Sequence, residues 1–465
     1  MVLNQKQKTK QLEEKKLNNF SLYELKKAPF LRGFFFIFDF MNIQDLHSAF
    51  LANPSISTDT RKIKENDIFF ALKGDNFNGN TYAQKALEKG ASMVVIDEEE
   101  FYVDDRTILV NDVLKSLQLL ANFHRKQCKA QVISLTGSNG KTTTKELINA
   151  VLSKAYKTIA TKGNLNNHIG VPLTLLTIQP DTEIAIVEMG ANHLKEIEFL
   201  CKIAEPDFGY ITNFGKAHLE GFGGVEGVIK GKSELYDYLT SNNKSIFLNA
   251  DDPIQKNKLN TYTKRFGFSS EDPKYYTIQL LDAQPFVNLL VEDINIETNL
   301  IGAYNFSNCC AAIIMAKYFN VEMHEIKEAL EEYTPDNNRS QIINTNGHYI
   351  ILDAYNANPS SMKVALENFN SLEKDRKILI LGDMFELGES AKEEHQSISD
   401  LAKSLNFEQV ILVGENFYLT NNHFIKLRSF HDLKAYLKEN SLPSKSSILI
   451  KGSRGMALER VLDLI

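Results

Sequence analysis

From Ile68 to Thr136, apolar runs of strand length alternate with stretches of helical period. Ile68-Phe-Phe-Ala-Leu72 reads as a strand and Lys73 to Asn80, which carries two glycines, as a loop. Tyr82 to Gly90 reads as a helix and Met93 to Ile96 as a second strand. A helical stretch from Asp112 to Lys126 then leads to Val132-Ile-Ser-Leu-Thr136, a buried-strand run that ends in glycine and opens a new helix, which puts the first boundary near residue 130. Further on, the apolar runs Ile184 to Val187, Tyr210 to Thr212 and Ser245 to Leu248 alternate with helical stretches. That is the pattern of a doubly wound parallel sheet.

Tyr333-Thr-Pro-Asp-Asn-Asn338 is turn-rich and reads as a linker. After it the rhythm repeats: strands at His348 to Leu352, Lys377 to Leu381, Val410 to Val413 and Ser447 to Ile450, with helices after Pro359, near Lys392 to Leu405 and from Met456. Four parallel strands with intervening helices make a Rossmann-like unit. The expected fold class is therefore α/β in three domains: a smaller N-terminal α/β domain over 41–130, a central doubly wound sheet over 131–333 and a Rossmann-like C-terminal domain over 334–465.

Length agrees, since 465 residues at roughly 150 per domain suggest about three. With 52 basic and 59 acidic residues the net charge is -7, which argues against a nucleic-acid partner. No apolar run approaches the roughly 20 residues that span a bilayer. Cys128, Cys201, Cys309 and Cys310 are too few and too irregular for a disulfide framework or a zinc site, and a reducing cytoplasm is expected. Residues 1–40 stand apart: eight Lys or Arg against three Glu up to Arg32, then Phe34-Phe-Phe-Ile-Phe38. A signal peptide would need a small-residue cleavage site that does not follow, and an extension lying on a membrane surface or a partner is a second reading. The preferred expectation is that Met41 is the functional start, which N-terminal analysis of the native protein decides.

The chemistry concentrates at Gly137-Ser138-Asn139-Gly140-Lys141-Thr142-Thr143, between a predicted strand and a predicted helix. Glycines let backbone N–H groups approach phosphate oxygens, the helix N-terminus adds positive potential, a lysine reaches the outer phosphates and a threonine hydroxyl can meet Mg2+. The spacing is a short GxxGKT, and a mere helix-capping turn would not need a lysine followed by threonines. Glu188 closes the Ile184 run at a strand's carboxyl end, where ligands of open α/β sheets collect, and His218 lies just past another strand. Singly, a solvated glutamate and a structural histidine would be the ordinary readings; together with the loop they suggest a magnesium-nucleotide site.

Gly137 to Thr143, Glu188-Met-Gly-Ala-Asn192, Thr212-Asn213 through His218-Leu-Glu220 and Gly231-Lys232-Ser-Glu-Leu-Tyr236 occur in the order in which they resemble the Mur ligases, ATP-dependent amide-bond-forming enzymes of peptidoglycan synthesis. The resemblance spans the chain from Met41. Within the family, Asp353-Ala-Tyr-Asn-Ala-Asn358, Leu381-Gly-Asp-Met-Phe-Glu-Leu-Gly388 and Lys451-Gly-Ser-Arg-Gly-Met456 resemble the member that adds D-alanyl-D-alanine to UDP-N-acetylmuramoyl-tripeptide. The resemblance implies that Lys141 and the loop amides hold ATP, and that Thr142 or Thr143, Glu188, His218 and Lys232 belong to the Mg2+ site. Lys232 corresponds to a lysine carbamylated in the family. A carbamate forms only from a neutral amine, so the site must depress that lysine's pKa, and Lys230 is the neighbouring alternative.

The resemblance further places Asn305 and Asn308 beside adenine, although capping the next helix is a second role for them. It takes Arg339 to the nucleotide phosphates, and assigns Ser57, Asp59, Arg61 and Asn78 to the uridine-diphosphate half of the substrate. Asn164, Asn166 and Asn167 fall near that substrate, and Asp353, Asn356 and Asn358 would orient the dipeptide. Tyr304 stands where the family often has histidine, and Asn78 and Asn80 where it has aspartate and histidine. The expected reaction runs through an acyl phosphate in a monomeric protein, with Lys141, His218 and Lys232 serving catalysis. The open alternatives are a folylpolyglutamate synthase-like ligase and a nucleotide-hydrolysing switch protein.

Overall fold

The computed structural model describes residues 42–336 and 338–465; the N-terminal extension and the expected start at Met41 lie outside the described residues. The first unit is a four-stranded parallel sheet in the order Ile56–Ser57, Ile68–Phe70, Met93–Ile96, Thr107–Leu109. Inside the expected loop after Leu72, Lys73–Gly74 and Phe77–Asn78 pair as a short antiparallel hairpin. The helix Val113–Gln127 closes this unit and also packs on Gly170–Leu175 and Glu196–Ala204 of the next one. Buried polar side chains stitch that seam. His47 Nε2 lies 3.0 Å from His124 Nδ1, His124 Nε2 meets the Ile178 carbonyl at 2.9 Å, and Arg125 pairs with Asp207 at 2.7 Å.

The central sheet has seven parallel strands, in the order Tyr276–Thr277, Arg265–Ser269, Ser245–Asn249, Phe208–Ile211, Gln131–Thr136, Ile184–Glu188, Thr158–Ala160. Strands buried on both faces read as continuous apolar runs, and Val132, Ile133 and Leu135 are fully covered. The helix Lys141–Leu152 packs across Phe306–Tyr318, where every residue from Cys309 to Ala316 is buried. A helix covered all round shows no polar stripe. The same burial pushes the Cys309 thiol up to about 12 and leaves it unpaired.

Two expectations need correction. The strand-helix alternation does not continue to residue 333: Gln279–Asp282, Phe286–Val291 and Ile294–Ile301 form a separate three-stranded antiparallel sheet. In Phe286–Val291 and Ile294–Ile301 one face is buried and the other partly open, so the pattern alternates instead of running apolar. The C-terminal sheet has six strands, not four: Gln341–Thr345, His348–Asp353, Ser447–Lys451, Lys377–Gly382, Gln409–Val413, Ile425–Leu427. Its first strand runs antiparallel to its neighbour and its last is short and half-buried, so neither edge carries the apolar run of a covered strand. The chain end after Met456 is 3-10 helix.

The order of the central sheet decides where chemistry can gather. Gln131–Thr136 lies between Ile184–Glu188 and Phe208–Ile211, and the chain proceeds to opposite sides from it, so a crevice opens above their carboxyl ends. The carboxyl ends of His348–Asp353, Ser447–Lys451 and Lys377–Gly382 supply the facing loops.

Candidate active site

Gln131–Thr136 delivers the chain into the loop at Gly137, whose φ of +144° and approach to Thr212 exclude a side chain: a Cβ there would stand 1.9 Å from Thr212 Oγ1. The loop is clamped to the neighbouring strand's exit. Thr212 Oγ1 donates to the Asn139 carbonyl at 2.6 Å, Ser138 Oγ donates to the Gly215 carbonyl at 2.7 Å, and Asn139 N–H donates to Asn213 Oδ1 at 3.1 Å. Gly140, at φ +78°, is the N-cap of Lys141–Leu152, and no side chain caps that helix. Its first amides are left for a ligand.

Lys141 folds back over its own loop, Nζ donating to the Gly137 carbonyl at 2.8 Å. Burial depresses its pKa, with the Arg339 charge adding to the effect while Glu188 opposes it. Glu188 is 1% exposed and receives a hydrogen bond on each oxygen, from Thr142 Oγ1 at 2.9 Å and Asn166 Nδ2 at 2.7 Å. Both donors are neutral oxygen or nitrogen groups, and carboxylate and hydroxyl oxygens together form a set that suits a hard cation. Among the described residues no three His, Cys, Asp or Glu side chains cluster closely enough to hold a metal alone.

Asn305 and Asn308 do not cap the helix Phe306–Tyr318, which has no side-chain cap bond; that expectation is corrected. They form a chain instead: Asn305 Nδ2 to the Ile301 carbonyl at 2.8 Å, Asn308 Nδ2 to Asn305 Oδ1 at 2.8 Å, and Thr144 Oγ1 to Asn308 Oδ1 at 2.9 Å. Asn308 Oδ1 would also meet a Cβ at Gly140 at 2.7 Å. The asparagines thus brace the open helix end.

From the opposite side the C-terminal unit reaches the same crevice. Asn358 Nδ2 donates to Asn139 Oδ1 at 2.7 Å, Lys216 N–H donates to Ser360 Oγ at 2.8 Å, and Lys216 Nζ meets Glu394 at 2.5 Å. His218 Nδ1 pairs with Glu386, and that contact holds the Glu386 carboxyl below its usual range. Asp353 is fixed by Lys451, whose buried ammonium stands 2.5 Å from Oδ2. Arg339 lies with its guanidinium carbon 3.8 Å from the Tyr355 ring centre.

The crevice has a volume of about 710 Å³ and gathers most of the nominated residues: Ser138, Asn139, Gly140, Lys141, Thr142, Thr143, Asn164, Asn166, Asn167, Glu188, His218, Asn305, Asn308, Arg339, Asp353, Asn356 and Asn358. Gly137 lies beneath the loop. Lys232 does not line the cavity: it is fully buried, donates from Nζ to the Ala191 carbonyl at 2.9 Å and stands 4.9 Å from the Phe222 ring centre. Burial drives its pKa well down, and repulsion from Lys141 adds to that. Lys230 is exposed. Ser57, Asp59, Arg61 and Asn78 also lie outside it. Asp59 and the exposed Arg61 pair with each other at 2.8 Å, which takes the Asp59 carboxyl down to about 2, and Asn78 donates to Glu98 at 2.8 Å.

Comparison with known proteins sharpens this picture. Three family models cover the chain in order: Mur ligase family, catalytic domain at 54–127; Mur ligase middle domain at 135–316; and Mur ligase, glutamate ligase domain at 338–454. A Bacillus subtilis relative named UDP-N-acetylmuramoyl-tripeptide--D-alanyl-D-alanine ligase is 35% identical over 91% of this chain and 97% of its own. The chain belongs to the Mur ligase family. Among solved structures, MurF from Acinetobacter baumannii is similar with a TM-score of 0.77 at 28% identity, covering 88% of this chain and 92% of its own. MurF ligase from Thermotoga maritima, solved with ADP, gives 0.77 at 26% over 89% and 97%.

The protein is thus an ATP-dependent ligase, and its cavity holds residues that the sequence reading did not nominate. Lys451 and Tyr355 sit inside quoted motifs, but only the parallel register that places Asp353 against Lys451 reveals the ion pair. Tyr304 donates or accepts at Ser340 Oγ over 2.6 Å, tying the ligase's central unit to the start of the C-terminal unit just past the linker. No local signal marks that contact.

Proposed function

We propose that the ligase joins D-alanyl-D-alanine to UDP-N-acetylmuramoyl-tripeptide, with ATP and Mg2+, as a cytoplasmic step of peptidoglycan precursor synthesis. The observation that carries the reading is the shared cavity: the loop Ser138 to Thr143 and the C-terminal Asp353, Asn356 and Asn358 face one space. The Bacillus subtilis relative, similar over 97% of its length, bears that activity in its name. In this reading residues 41–130 receive the uridine half through Ser57, Asp59, Arg61 and Asn78, 131–333 bind ATP, and 334–465 receive the dipeptide.

The tripeptide's terminal carboxylate attacks the ATP γ-phosphorus, giving an acyl phosphate and ADP; the dipeptide amine then attacks the acyl carbon, and phosphate leaves. No side-chain nucleophile is needed. Lys141 and the uncapped helix amides draw the outer phosphates into line, and Arg339 stabilises their charge. Bound beside Glu188 and Thr142, Mg2+ would neutralise charge on the phosphate oxygens. Glu188 is oriented for that by Asn166 and Thr142, each donating to one of its oxygens. Burial lowers the Lys232 pKa and so favours the neutral amine that reacts with CO2, and its carbamate would carry an anion to the wall at Ala191. Asn164 and Asn167 border the donor substrate, and Asn305 and Asn308 the adenine side.

Phosphate release with ATP, Mg2+ and UDP-N-acetylmuramoyl-tripeptide, with and without D-alanyl-D-alanine, tests the reading alongside mass analysis of the product. Dipeptide-dependent release with a pentapeptide product is expected. Release indifferent to the dipeptide would overturn it in favour of a nucleotide hydrolase, and dependence on glutamate would favour a folylpolyglutamate synthase-like ligase.

A further inference from the structure

Beside the main crevice lies a second, open cavity of about 310 Å³, lined by the loops after Asp353, Gly382 and Lys451 and by Asn164, Ala217 and His218 of the central unit. Asn164, His218, Tyr355, Asn356 and Asn358 border both spaces and so form the passage between them. Phe385, Glu386, Ser453, Arg454 and Gly455, with Ala217 and Ala357, line the side cavity and not the main crevice. Among the described residues lining it, Glu386 is the one carboxylate and Arg454 the one permanent cation.

The walls are built rather than incidental. Ser453 is 2% exposed; its Oγ accepts from Phe385 N–H at 2.9 Å and donates to the Ala357 carbonyl at 3.3 Å, locking two loops together. Lys451 Nζ, besides holding Asp353, donates to the Asn356 carbonyl at 3.3 Å. Tyr355 divides the two cavities with a guanidinium toward each: Arg339, which lines the main crevice, at 3.8 Å from its ring centre, and Arg454, which lines the side cavity, at 5.6 Å. Two arginines on one ring serve different spaces. Glu386 sits against His218 at the passage. Arg454 stands beyond it with one nitrogen 3.3 Å from Glu459 and more than half its side chain open.

We propose that this side cavity seats the acceptor as a short zwitterionic peptide, its terminal carboxylate on the Arg454 guanidinium and its amine end toward Glu386 and the passage. The inference rests on the function proposed above and adds the residues that read the acceptor. A planar guanidinium meets a carboxylate with two parallel charge-assisted hydrogen bonds, and a negative group at the other end sets direction, since the reverse orientation would place like charges together at both ends. Only the orientation with the amine at the passage brings the nucleophile to the space shared with Lys141. Arg454 is therefore a specificity-determining residue, selecting a free carboxyl terminus. The residues of the passage include no lysine or arginine.

The test uses the whole enzyme with two acceptors, D-alanyl-D-alanine and its C-terminal amide, and the variants Arg454→Ala and Arg454→Lys. The wild type is expected to prefer the free acid over the amide by roughly 10- to 100-fold in kcat/KM, the usual worth of a charge-assisted pair. Arg454→Ala should bring that ratio near one through a raised KM for the free acid, leaving KM for ATP and for the nucleotide substrate unchanged. Arg454→Lys, which keeps charge but loses the fork, should recover part of the preference. A preference that persists in Arg454→Ala, with normal folding by circular dichroism, would overturn the assignment while leaving the ligase function standing. Failure of the wild type to use the free dipeptide at all would instead sink the proposed function.

Discussion

Two loops of this molecule occupy the same topological position and have opposite chemistry. Each leaves the carboxyl end of an inner parallel strand and opens a helix, one after Thr136 and one after Asp353. At Lys141–Leu152 the N-cap is Gly140 in the left-handed region, with no side-chain cap, so the helix amides are free for an anion. At Pro359–Ser371 Asn358 accepts from Ser361 N–H, Ser361 Oγ reciprocates, and proline fills the first turn where it removes a donor. That helix end is consumed by its own capping box. The difference shows that a Rossmann-like connection is not in itself a phosphate site: one loop leaves backbone amides open to a ligand, the other can offer only side chains, Asp353, Asn356 and Asn358.

The largest break in this comparison should come from the open loop. Lys141→Ala is expected to lower kcat by roughly 10³-fold, the scale of losing one charge stabiliser in phosphoryl transfer, while the melting temperature stays within a few degrees. Phosphate release and calorimetry measure the two sides, and near-normal turnover would show that the loop is not the nucleotide site. Next, Lys232→Ala should cost roughly 10²-fold in kcat, and intact mass of the wild type should show added CO2 at this residue and not at Lys230. Because burial depresses the Lys232 pKa, the unfolded chain binds more protons there between the folded and the free value of 10.5. Uncarbamylated protein should therefore gain stability as pH rises through that window, by up to about 1.4 kcal/mol per pH unit.

On the capped loop, Asn358→Ala should destabilise the C-terminal unit by about 1 kcal/mol, the usual worth of a cap, and cut kcat about tenfold through loss of the bridge to Asn139. Wild-type kcat in that variant would show that the bridge plays no part in aligning the two sheets. Smaller again is the seam between the first two units. Burial lowers the pKa of both His47 and His124, with His124 further lowering that of His47, so the folded state binds fewer protons below the free value of 6.5. Stability is complete above that pH and is lost as pH falls beneath it; His47→Gln should flatten the decline in melting temperature between about pH 7.5 and 5.5. The smallest stability effect is expected at Arg61→Ala, whose exposed pair should leave the melting temperature unchanged while raising KM for the nucleotide substrate.

Local pattern carried much of this molecule. Strands buried on both faces are continuous apolar runs, so Gln131–Thr136, Ile184–Glu188 and Lys377–Gly382 were legible within a residue or two, and a glycine-lysine loop between a strand and a helix has few other uses. The edge strands and the antiparallel sheet of Gln279–Ile301 escaped because half-exposed strands carry polar residues that read as loop. The helix Phe306–Tyr318 gave no amphipathic signal because it has no wet face. For the same reason Lys232 could not be told from Lys230 along the chain: both are lysines on one helix, and burial alone distinguishes them.

What the sequence by itself determined is the set of groups able to do chemistry and the local geometry each needs, because glycine conformation, capping and strand burial depend on near neighbours. Which of those groups meet was decided only by the tertiary structure. Asp353 reaches Lys451, Tyr355 stands between Arg339 and Arg454, and Glu386 meets His218 because sheet register and the docking of two units bring together residues that are distant along the chain. Such pairings follow from the summed packing of many apolar side chains, and no single segment encodes them.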